Sequence, residues 1–350
     1  VSANPTGPMH MGNARGGALG DCLAAVLDKA GYNAWREFYV NDAGNQIEKF
    51  GCSLEARYLQ IFKGDEIEFP EDGYQGEDIK DLAKEYADLN GDSLVNVSAE
   101  ERKKALVDYA LPKNIKKMQA DMEKYKIFYD KWFFESELHK SGAVKAVVDL
   151  LTKKGLTYEK EGAVWYKNKE VLTQKLLKEG KSQKYIDNLE LKDDVLIRQN
   201  GNPTYFTADI AYHKNKFDRG FTTLIDVWGA DHHGHVMRMK GAMDAIGYDG
   251  DKLNIVLMQL VKLVKDGELV RMSKRTGKAI QLGDLLDEVP VDSARFLFNT
   301  KEANTQMDFD LDLAVSQDNQ NPVYYVQYAH ARICSIFKSL AKEGISPREC

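Results

Sequence analysis

The first motif that could carry chemistry lies close to the start of the chain. Residues 8–13 read PMHMGN, and a helical repeat of apolar residues follows directly. The amino end of a helix offers unpaired N–H groups and a partial positive charge to phosphate oxygens. Gly12 lets a nucleotide approach the backbone closely, and His10 can hydrogen-bond a phosphate oxygen. Taken alone, the pattern His-x-Gly-Asn also fits a structural turn.

A second candidate motif is a basic loop far along the chain. Residues 270–277 read VRMSKRTG and follow an apolar stretch that ends near Leu263. A lysine such as Lys274 can neutralise the charge that builds on pyrophosphate when the α-phosphate of ATP is attacked. A solvated basic turn is the alternative interpretation of this loop.

Both motifs need a scaffold, and the sequence predicts an α/β one. Apolar residues recur at helical spacing from Leu19 to Leu27, with Gly31 as a helix end, and 34–40 alternates like a strand. Strand, glycine loop, helix and strand together predict a Rossmann-like parallel sheet with a helical insertion and a C-terminal helical segment. Further strands are expected at 194–198, 222–228 and 254–263, and further helices at 99–128, 235–246 and 322–340.

The predicted domain boundaries follow from a change of composition. Charged helical stretches fill 63–193 and indicate an inserted domain, so the sheet domain is expected as two halves, 1–62 and 194–300, with the second half carrying the basic loop. Residues 301–350 are expected to form a linker and the start of another helical domain.

Composition favours an ordinary soluble protein. The 350 residues carry a net charge of −6 and four dispersed cysteines, with no Cys-x-x-Cys pair. We therefore expect reduced thiols, a cytoplasmic location and no membrane association, and the acidic total argues against indiscriminate nucleic-acid binding. The chain begins with Val1, which we interpret as a cut from a longer protein.

The two motifs, in this order, resemble the His-x-Gly-His and Lys-Met-Ser-Lys signatures of class I aminoacyl-tRNA synthetases. Further stretches resemble the arginine branch of that family, and the resemblance covers nearly the whole chain except the middle insertion. These stretches are SANPTGP at 2–8, YVNDAGNQ at 39–46, YFTADIAY at 205–212, WGADHHGH at 228–235 and NPVYYVQYAHAR at 321–332. The resemblance implies a HUP-type sheet and, at 321–332, the opening helix of an anticodon-binding domain.

The resemblance also implies roles for individual residues. A guanidinium needs a carboxylate and flat hydrogen-bonding partners, and Tyr205 and Asp209, four residues apart, share one side of a helical turn. An acid at a helix N-terminus or on the surface is the alternative for Asp209. The implied catalytic residues are His10, Asn13, Arg271, Ser273 and Lys274; the ATP-binding residues are Gly12, Gly229, Asp231, His232 and Met272; the arginine-binding residues are Ser2, Asn4, Tyr205, Asp209 and His232.

The implied reaction joins L-arginine to tRNA(Arg) through an arginyl-adenylate, with ATP and Mg²⁺ as co-substrates. The family commonly needs tRNA for the first step, and we expect a monomer with no protein-bound metal or organic cofactor. Two positions depart from the signatures: Asn13 replaces a histidine, and Arg271 replaces a lysine. An acidic residue expected upstream of Ser2, the tRNA-elbow domain and most of the anticodon domain are not in this sequence, so the fragment is expected to be impaired.

Several alternatives stay open at the level of sequence. Three histidines, His232, His233 and His235, with Asp231 could bind zinc. Another enzyme of the same superfamily, such as a nucleotidyltransferase or a cysteine- or glutamate-specific synthetase, is a second alternative, and a non-catalytic RNA-binding module is a third. The basic clusters at 102–104 and 113–117 fit either guidance of the tRNA acceptor end or solvated helix faces.

Overall fold

The computed structural model describes residues 1–64, 66–270 and 280–346. The chain opens with strand β1 (Ser2–Ala3), helix α1 (Met11–Lys29) and strand β2 (Glu37–Val40). β1 and β2 pair in parallel, and strand β3 (Lys131–Phe134) pairs in parallel with the other side of β2. The predicted α/β fold with a parallel sheet is confirmed, and so is its opening order of strand, helix and strand.

A helical unit lies between β2 and β3. Its helices are α2 (Asn45–Lys63), α3 (Glu77–Asn90) and α4 (Ala99–Lys124). Their apolar faces meet in a core of buried residues that includes Phe50, Leu54, Tyr58, Ile79 and Leu106. The Ser98 side chain accepts a hydrogen bond from the Glu101 N–H and so caps the start of α4, which explains why the predicted charged helix begins there.

One feature differs from the expectation that 63–193 interrupts the sheet. β3 lies inside that range and pairs with β2, because its aromatic residues Trp132 and Phe133 pack against Phe38 and Tyr39 of that strand. The sequence Lys131–Phe134 is too short to show strand alternation beside long charged helices. The division of the chain into four parts stays a prediction. Its second part, 63–193, contains a strand, β3, that belongs to the parallel sheet.

A second set of short elements follows β3. It comprises α5 (Glu135–Lys140), α6 (Ala143–Lys153), β4 (Thr157–Lys160), β5 (Ala163–Tyr166), α7 (Asn168–Lys178), α8 (Gln183–Asp187) and β6 (Asp194–Ile197). β4, β5 and β6 form an antiparallel sheet. The strand expected at 194–198 is confirmed as a strand, but it belongs to this sheet and pairs with β5.

The next elements return to parallel pairing. They are α9 (Tyr205–Asp218), β7 (Leu224–Gly229), a 3₁₀ turn (Ala230–His232), α10 (His233–Ile246), a second 3₁₀ turn (Gly250–Lys252) and β8 (Leu253–Met258). β7 and β8 pair in parallel, and α9 and α10 pack together over buried residues such as Ile210, Met239 and Met243. The strand near 222–228 and the helix near 235–246 are confirmed.

The single strand expected at 254–263 is two strands. β8 ends at Met258, and β9 (Val261–Lys265) begins after a break at 259–260 and joins a different sheet. β9 pairs with β10 (Glu268–Leu269) and in parallel with β11 (Met307–Asp310). The remaining helices are α11 (Leu282–Glu288), α12 (Val291–Phe298), α13 (Leu311–Val315) and α14 (Pro322–Lys342).

Helix α14 confirms the helix expected at 322–340. The Asn321 side chain accepts a hydrogen bond from the Val323 N–H at its start, and Pro322 occupies the first turn, where a missing N–H costs nothing. Tyr325 and Ile336 are 62% and 59% exposed, so much of its apolar stripe faces outward. Its assignment to an anticodon-binding domain stays a prediction.

Candidate active-site cleft

A cleft of about 1700 Å³ opens where the parallel strands end. Asn4 follows β1, Asn41 follows β2, Ala230 follows β7 and Gln259 follows β8, and all four line it. Ligands of open α/β sheets bind in this position, outside the carboxyl ends of the strands. The lining includes every predicted site residue that the structure describes, namely Ser2, Asn4, His10, Gly12, Asn13, Tyr205, Asp209, Gly229, Asp231 and His232.

The start of α1 forms one end of the cleft. His10 is the N-cap, and its Nδ1 accepts a hydrogen bond from the Gly12 N–H at 3.1 Å. The Asn13 Oδ1 in turn accepts from the His10 N–H at 3.0 Å, which completes a reciprocal capping box. The side-chain oxygen of Asn13 thus stabilises the start of α1.

The capping contact fixes the proton on the His10 ring. Because Nδ1 accepts a hydrogen bond, the neutral ring carries its proton on Nε2, which can act as a donor. Desolvation lowers the pKa of His10, although the residue keeps an exposed edge. A neutral ring that donates from Nε2, beside a helix amino end, suits an anionic oxygen.

Two glycines keep the backbone accessible in the cleft. A Cβ at Gly12 would lie 3.0 Å from Cε1 of His10, a contact tight enough that the capping imidazole would have to shift by a few tenths of an ångström. A Cβ at Gly229 would overlap the carboxylate of Asp231. Asp231 and His232 follow on the exposed 3₁₀ turn, where the His232 Nε2 lies 3.6 Å from the Asp231 carboxylate.

The first turns of α9 contribute the acidic part of the cleft. Tyr205 and Asp209 are four residues apart on this helix and both line the cleft, as their spacing predicts. The Asp209 carboxylate is 32% exposed and lies 3.0 Å from Nε2 of His235. Asp209 is therefore not simply a surface acid, since it faces the cavity while holding one neighbouring ring.

Sequence reasoning missed a buried carboxylate beside this region. Glu135 directly follows β3, is 3% exposed, and accepts a hydrogen bond from Nδ2 of Asn41 at 3.1 Å. Burial raises the pKa of Glu135, and the nearby Asp209 carboxylate acts in the same direction. Burial likewise raises the pKa of Tyr39, which lines the cleft close to Glu135. Recognising the short strand β3 would have given a signal, because its carboxyl end points to this edge of the sheet.

His235 is the second residue whose role the sequence left open. It contacts Asp209, and its ring lies 5.3 Å from the Trp228 ring, centroid to centroid. Among the residues that the structure describes, no group of three or more histidine, cysteine, aspartate or glutamate side chains is placed to hold a metal ion. His235 thus has an identified partner in a carboxylate of the cleft.

An ionic network behind α9 fixes its place in the fold. His213 bridges the Asp209 main-chain oxygen, 2.7 Å from Nδ1, and the Asp226 carboxylate on β7, 2.5 Å from Nε2. The Lys216 Nζ donates to the other oxygen of Asp226 at 2.7 Å. The Lys216 ammonium and the hydrogen-bonded His213 ring hold the pKa of Asp226 well below its usual range against the effect of burial, so a polar contact joins β7 and α9.

The basic clusters of the insertion have structural partners. Arg102 is buried, pairs with Glu55 at 2.6 Å and donates to the carbonyls of Leu94, Val95 and Val97. Lys103, Lys104 and Lys113 pair with Glu48, Asp108 and Glu85. Arg102 is therefore a buried structural residue, and Lys103, Lys104 and Lys113 are paired with acidic side chains.

The second signature lies outside the described residues. Arg271, Met272, Ser273 and Lys274 therefore keep their predicted roles. The hairpin β9–β10 leads into this segment, and the Val270 N–H donates to the Leu263 carbonyl at 2.8 Å.

Comparison with known proteins decides the family. The family model described as "tRNA synthetases class I (R), catalytic domain" matches residues 1–334. This chain belongs to the class I arginyl-tRNA synthetase family. The resemblance found in the two signatures is thereby confirmed, and the fold class with it.

Individual relatives of this synthetase family agree. The chain is 60% identical over 347 residues to an arginine–tRNA ligase of Ruminiclostridium cellulolyticum and 58% identical over 346 residues to one of Acetivibrio thermocellus. It is covered to 99% and 98%, but spans only 58% of each relative's length. No helix among the described residues of this synthetase chain is both long and apolar enough to cross a membrane.

Solved structures of synthetases share the fold. A Campylobacter jejuni protein described as an arginyl-tRNA synthetase superposes with a TM-score of 0.82 at 39% identity, with 97% of this chain and 70% of that one covered. The Thermus thermophilus arginyl-tRNA synthetase gives 0.70 at 21% identity, covering 99% and 64%. At that identity the second likeness shows the fold alone.

Proposed function

We propose that this chain is the catalytic part of an enzyme that uses ATP to activate L-arginine and transfers it to tRNA(Arg). The proposal rests on one observation: the same cleft contains a helix N-terminus that suits a phosphate group and a carboxylate that suits a guanidinium. His10 and Asn13 stand at the first, and Asp209 with Tyr205 at the second. The names of the relatives support the same substrates.

The amino-acid end of the cleft fits a planar cation. A guanidinium has its donors in a fixed fork that matches a carboxylate, and Asp209 faces the cavity. Glu135 adds a buried acid near Asp209, and Tyr205 offers a flat ring and a hydroxyl. Ser2, which is in β1, and Asn4, which follows it, also line the cleft and suit the amino and carboxylate groups of the substrate.

The nucleotide end fits ATP. In the proposed first step the arginine carboxylate attacks the α-phosphorus, and arginyl-adenylate and pyrophosphate form. Nε2 of His10 donates to a phosphate oxygen, while Gly12 and Gly229 leave room for the nucleotide and Asp231 and His232 serve its ribose side. Positioning and charge stabilisation supply the catalysis, so no side chain needs to act as a nucleophile.

In the proposed second step a terminal ribose hydroxyl of the tRNA attacks the activated carbonyl and AMP leaves. Arg271, Met272, Ser273 and Lys274 are assigned to the pyrophosphate side by their sequence resemblance. Mg²⁺ arrives with ATP, because in such sites it is held by substrate phosphates and retained waters with one or two carboxylates, and not by an all-protein cage. A cytoplasmic monomer is part of the same proposal, and size-exclusion chromatography with light scattering measures the oligomeric state.

Calorimetric titration tests the specificity. The chain is titrated with arginine, lysine and citrulline, with and without ATP. Arginine binding with rejection of citrulline, which has the same length but no charge, is the expected result, since a carboxylate is left unpaired by a neutral ureido group. A chain that binds ATP and treats arginine and citrulline alike would contradict the assignment and favour a nucleotidyltransferase. ATP–pyrophosphate exchange with tRNA present then measures the first step.

A further inference from the structure

A buried arginine stands directly behind the proposed nucleotide end. Arg15 lies two residues after Asn13 on α1 and is 0% exposed. Its Nη1 donates to the carbonyl oxygens of Gln259 at 2.8 Å and Thr305 at 3.0 Å, and its Nη2 donates to that of Glu302 at 2.9 Å. Within 1–64, 66–270 and 280–346, no carboxylate lies within ion-pair distance of its guanidinium.

The three carbonyls belong to two segments, of which the one at 259–260 lines the cleft. Gln259 and Leu260 form the break between β8 and β9, and both line the cavity. The Gln259 N–H donates to the Ala303 carbonyl at 2.9 Å, so the 259–260 break is also tied to the segment before β11. Arg15 is the point at which α1 joins both segments.

Burying the Arg15 guanidinium without a carboxylate partner in the described part of the chain costs free energy. Burying a cation with carbonyl dipoles alone is costlier than burying it beside a carboxylate, as Arg102 is beside Glu55. The rigid fork of a guanidinium can reach three carbonyls at once in a fixed geometry, which the single ammonium of lysine cannot reproduce. A fixed geometry is what a wall of a binding site needs.

We propose that Arg15 is a positioning residue, which holds the 259–260 break at a set distance from the helix start that carries His10. The two walls of the nucleotide end would then face each other correctly only when all three carbonyl contacts are made. This inference rests on the proposed ATP site at His10 and adds a residue that acts on that site without touching the ligand.

A double-mutant cycle on ATP binding tests the inference. Calorimetry is carried out on the parent chain, Arg15→Met, His10→Ala and the double variant. We expect Arg15→Met to weaken ATP binding roughly tenfold and His10→Ala roughly fivefold. The double variant should bind ATP roughly tenfold more weakly than the parent, and not roughly fiftyfold, which is the product of the single effects. The reason is that a misplaced helix start already prevents the His10 contact. The ATP affinity of Arg15→Lys should lie between that of the parent and that of Arg15→Met, since lysine keeps the charge and part of the contact.

Arg102→Met is the matched control. It removes another buried arginine that binds three main-chain carbonyls, in the core of α2–α4. Arg102→Met should lower thermal stability and leave ATP affinity within about twofold of the parent. Its effect on ATP affinity should be additive with that of His10→Ala. An Arg15–His10 cycle that is additive, or an Arg15→Met variant that binds ATP like the parent, would overturn the proposal.

A ligand-free measurement separates this inference from the proposed function. If the parent chain does not bind ATP, the proposed function fails and the cycle cannot be run. Amide hydrogen exchange then decides the matter for Arg15, because the Gln259 N–H and the Met307 N–H, which donates to Leu260, report on the 259–260 break. Exchange at both should be at least roughly tenfold faster in Arg15→Met and unchanged in Arg102→Met. Unchanged exchange in Arg15→Met overturns the inference.

Discussion

Replacing Asp209 by asparagine removes the charge proposed to select arginine while keeping the shape of the side chain. The remaining amide oxygen can still accept the hydrogen bond from Nε2 of His235, which lies 3.0 Å from the carboxylate. Asp209→Asn should therefore fold normally. The change isolates one interaction, the attraction between a carboxylate and a substrate cation.

The structure sets the expected size of the effect. Removing one partner of a hydrogen-bonded charge pair costs from 2 to more than 5 kcal/mol when the pair is buried, and far less when it is exposed. The Asp209 side chain is 32% exposed, so solvent screens part of its charge. We therefore expect a loss of about 2–3 kcal/mol, which corresponds to about 30- to 150-fold weaker arginine binding. Citrulline binding should change little, so discrimination should nearly vanish.

The assay is titration calorimetry with arginine and citrulline in the presence of ATP. Asp218→Asn is the matched control, because it makes the same change on the same helix α9 at a residue that pairs with Lys214 outside the cleft. The control should leave arginine affinity within about twofold. If Asp209→Asn binds arginine as tightly as the parent and still rejects citrulline, Asp209 does not hold the guanidinium and the reasoning is refuted.

Three further changes probe the cleft and the fold. Gly12→Ala should weaken ATP binding roughly tenfold in calorimetry, because its Cβ would lie 3.0 Å from the His10 ring and push that ring out of line with a phosphate oxygen; unchanged affinity would contradict this. His10 has a lowered pKa, so the unfolded chain binds a proton first as pH falls below about 6.5, and stability should decline from there to the folded pKa. His10→Asn keeps a capping acceptor but has no titrating ring. It should therefore flatten that part of the curve of thermal midpoint against pH. An equal slope in both proteins would exclude His10 as the source of the pH dependence. Leu106→Ala, in a core position that is 1% exposed, should cost about 2–5 kcal/mol in chemical denaturation and leave arginine affinity unchanged; a large change in affinity would show that the α2–α4 core and the cleft are coupled.

The fold was predictable where one local signal dominated. Helix α1 follows from apolar spacing and a turn-rich start, and β7 with α10 from a strand followed by a helical stripe. Strand β3 could not be found, since four residues between long charged helices carry no readable period. The break between β8 and β9 was missed for a related reason: both strands are apolar, and what separates them is the sheet each one joins.

The site was predictable to the extent that motifs name residues. Ten predicted positions meet in one cleft, because each lies at a strand end or helix start that the fold gathers there. Glu135 and Arg15 were not predictable in the same way. Their importance comes from burial and from contacts with residues far along the chain, and a single sequence shows neither. The second signature lies outside the described residues, so its part in the site stays a prediction.

The reach of Arg15 along the chain has a consequence for the order in which the protein matures. Its carbonyl partners lie 244 to 290 positions later in the sequence. At about 5–20 residues per second, a ribosome needs about 15 to 60 s to add a stretch of that length. During this time α1 exists without its anchor, so the helical unit of α2–α4, whose contacts are close in sequence, can become stable first. If Arg15 positions the proposed nucleotide site, a nascent chain gains nucleotide binding only after residue 305 has been made.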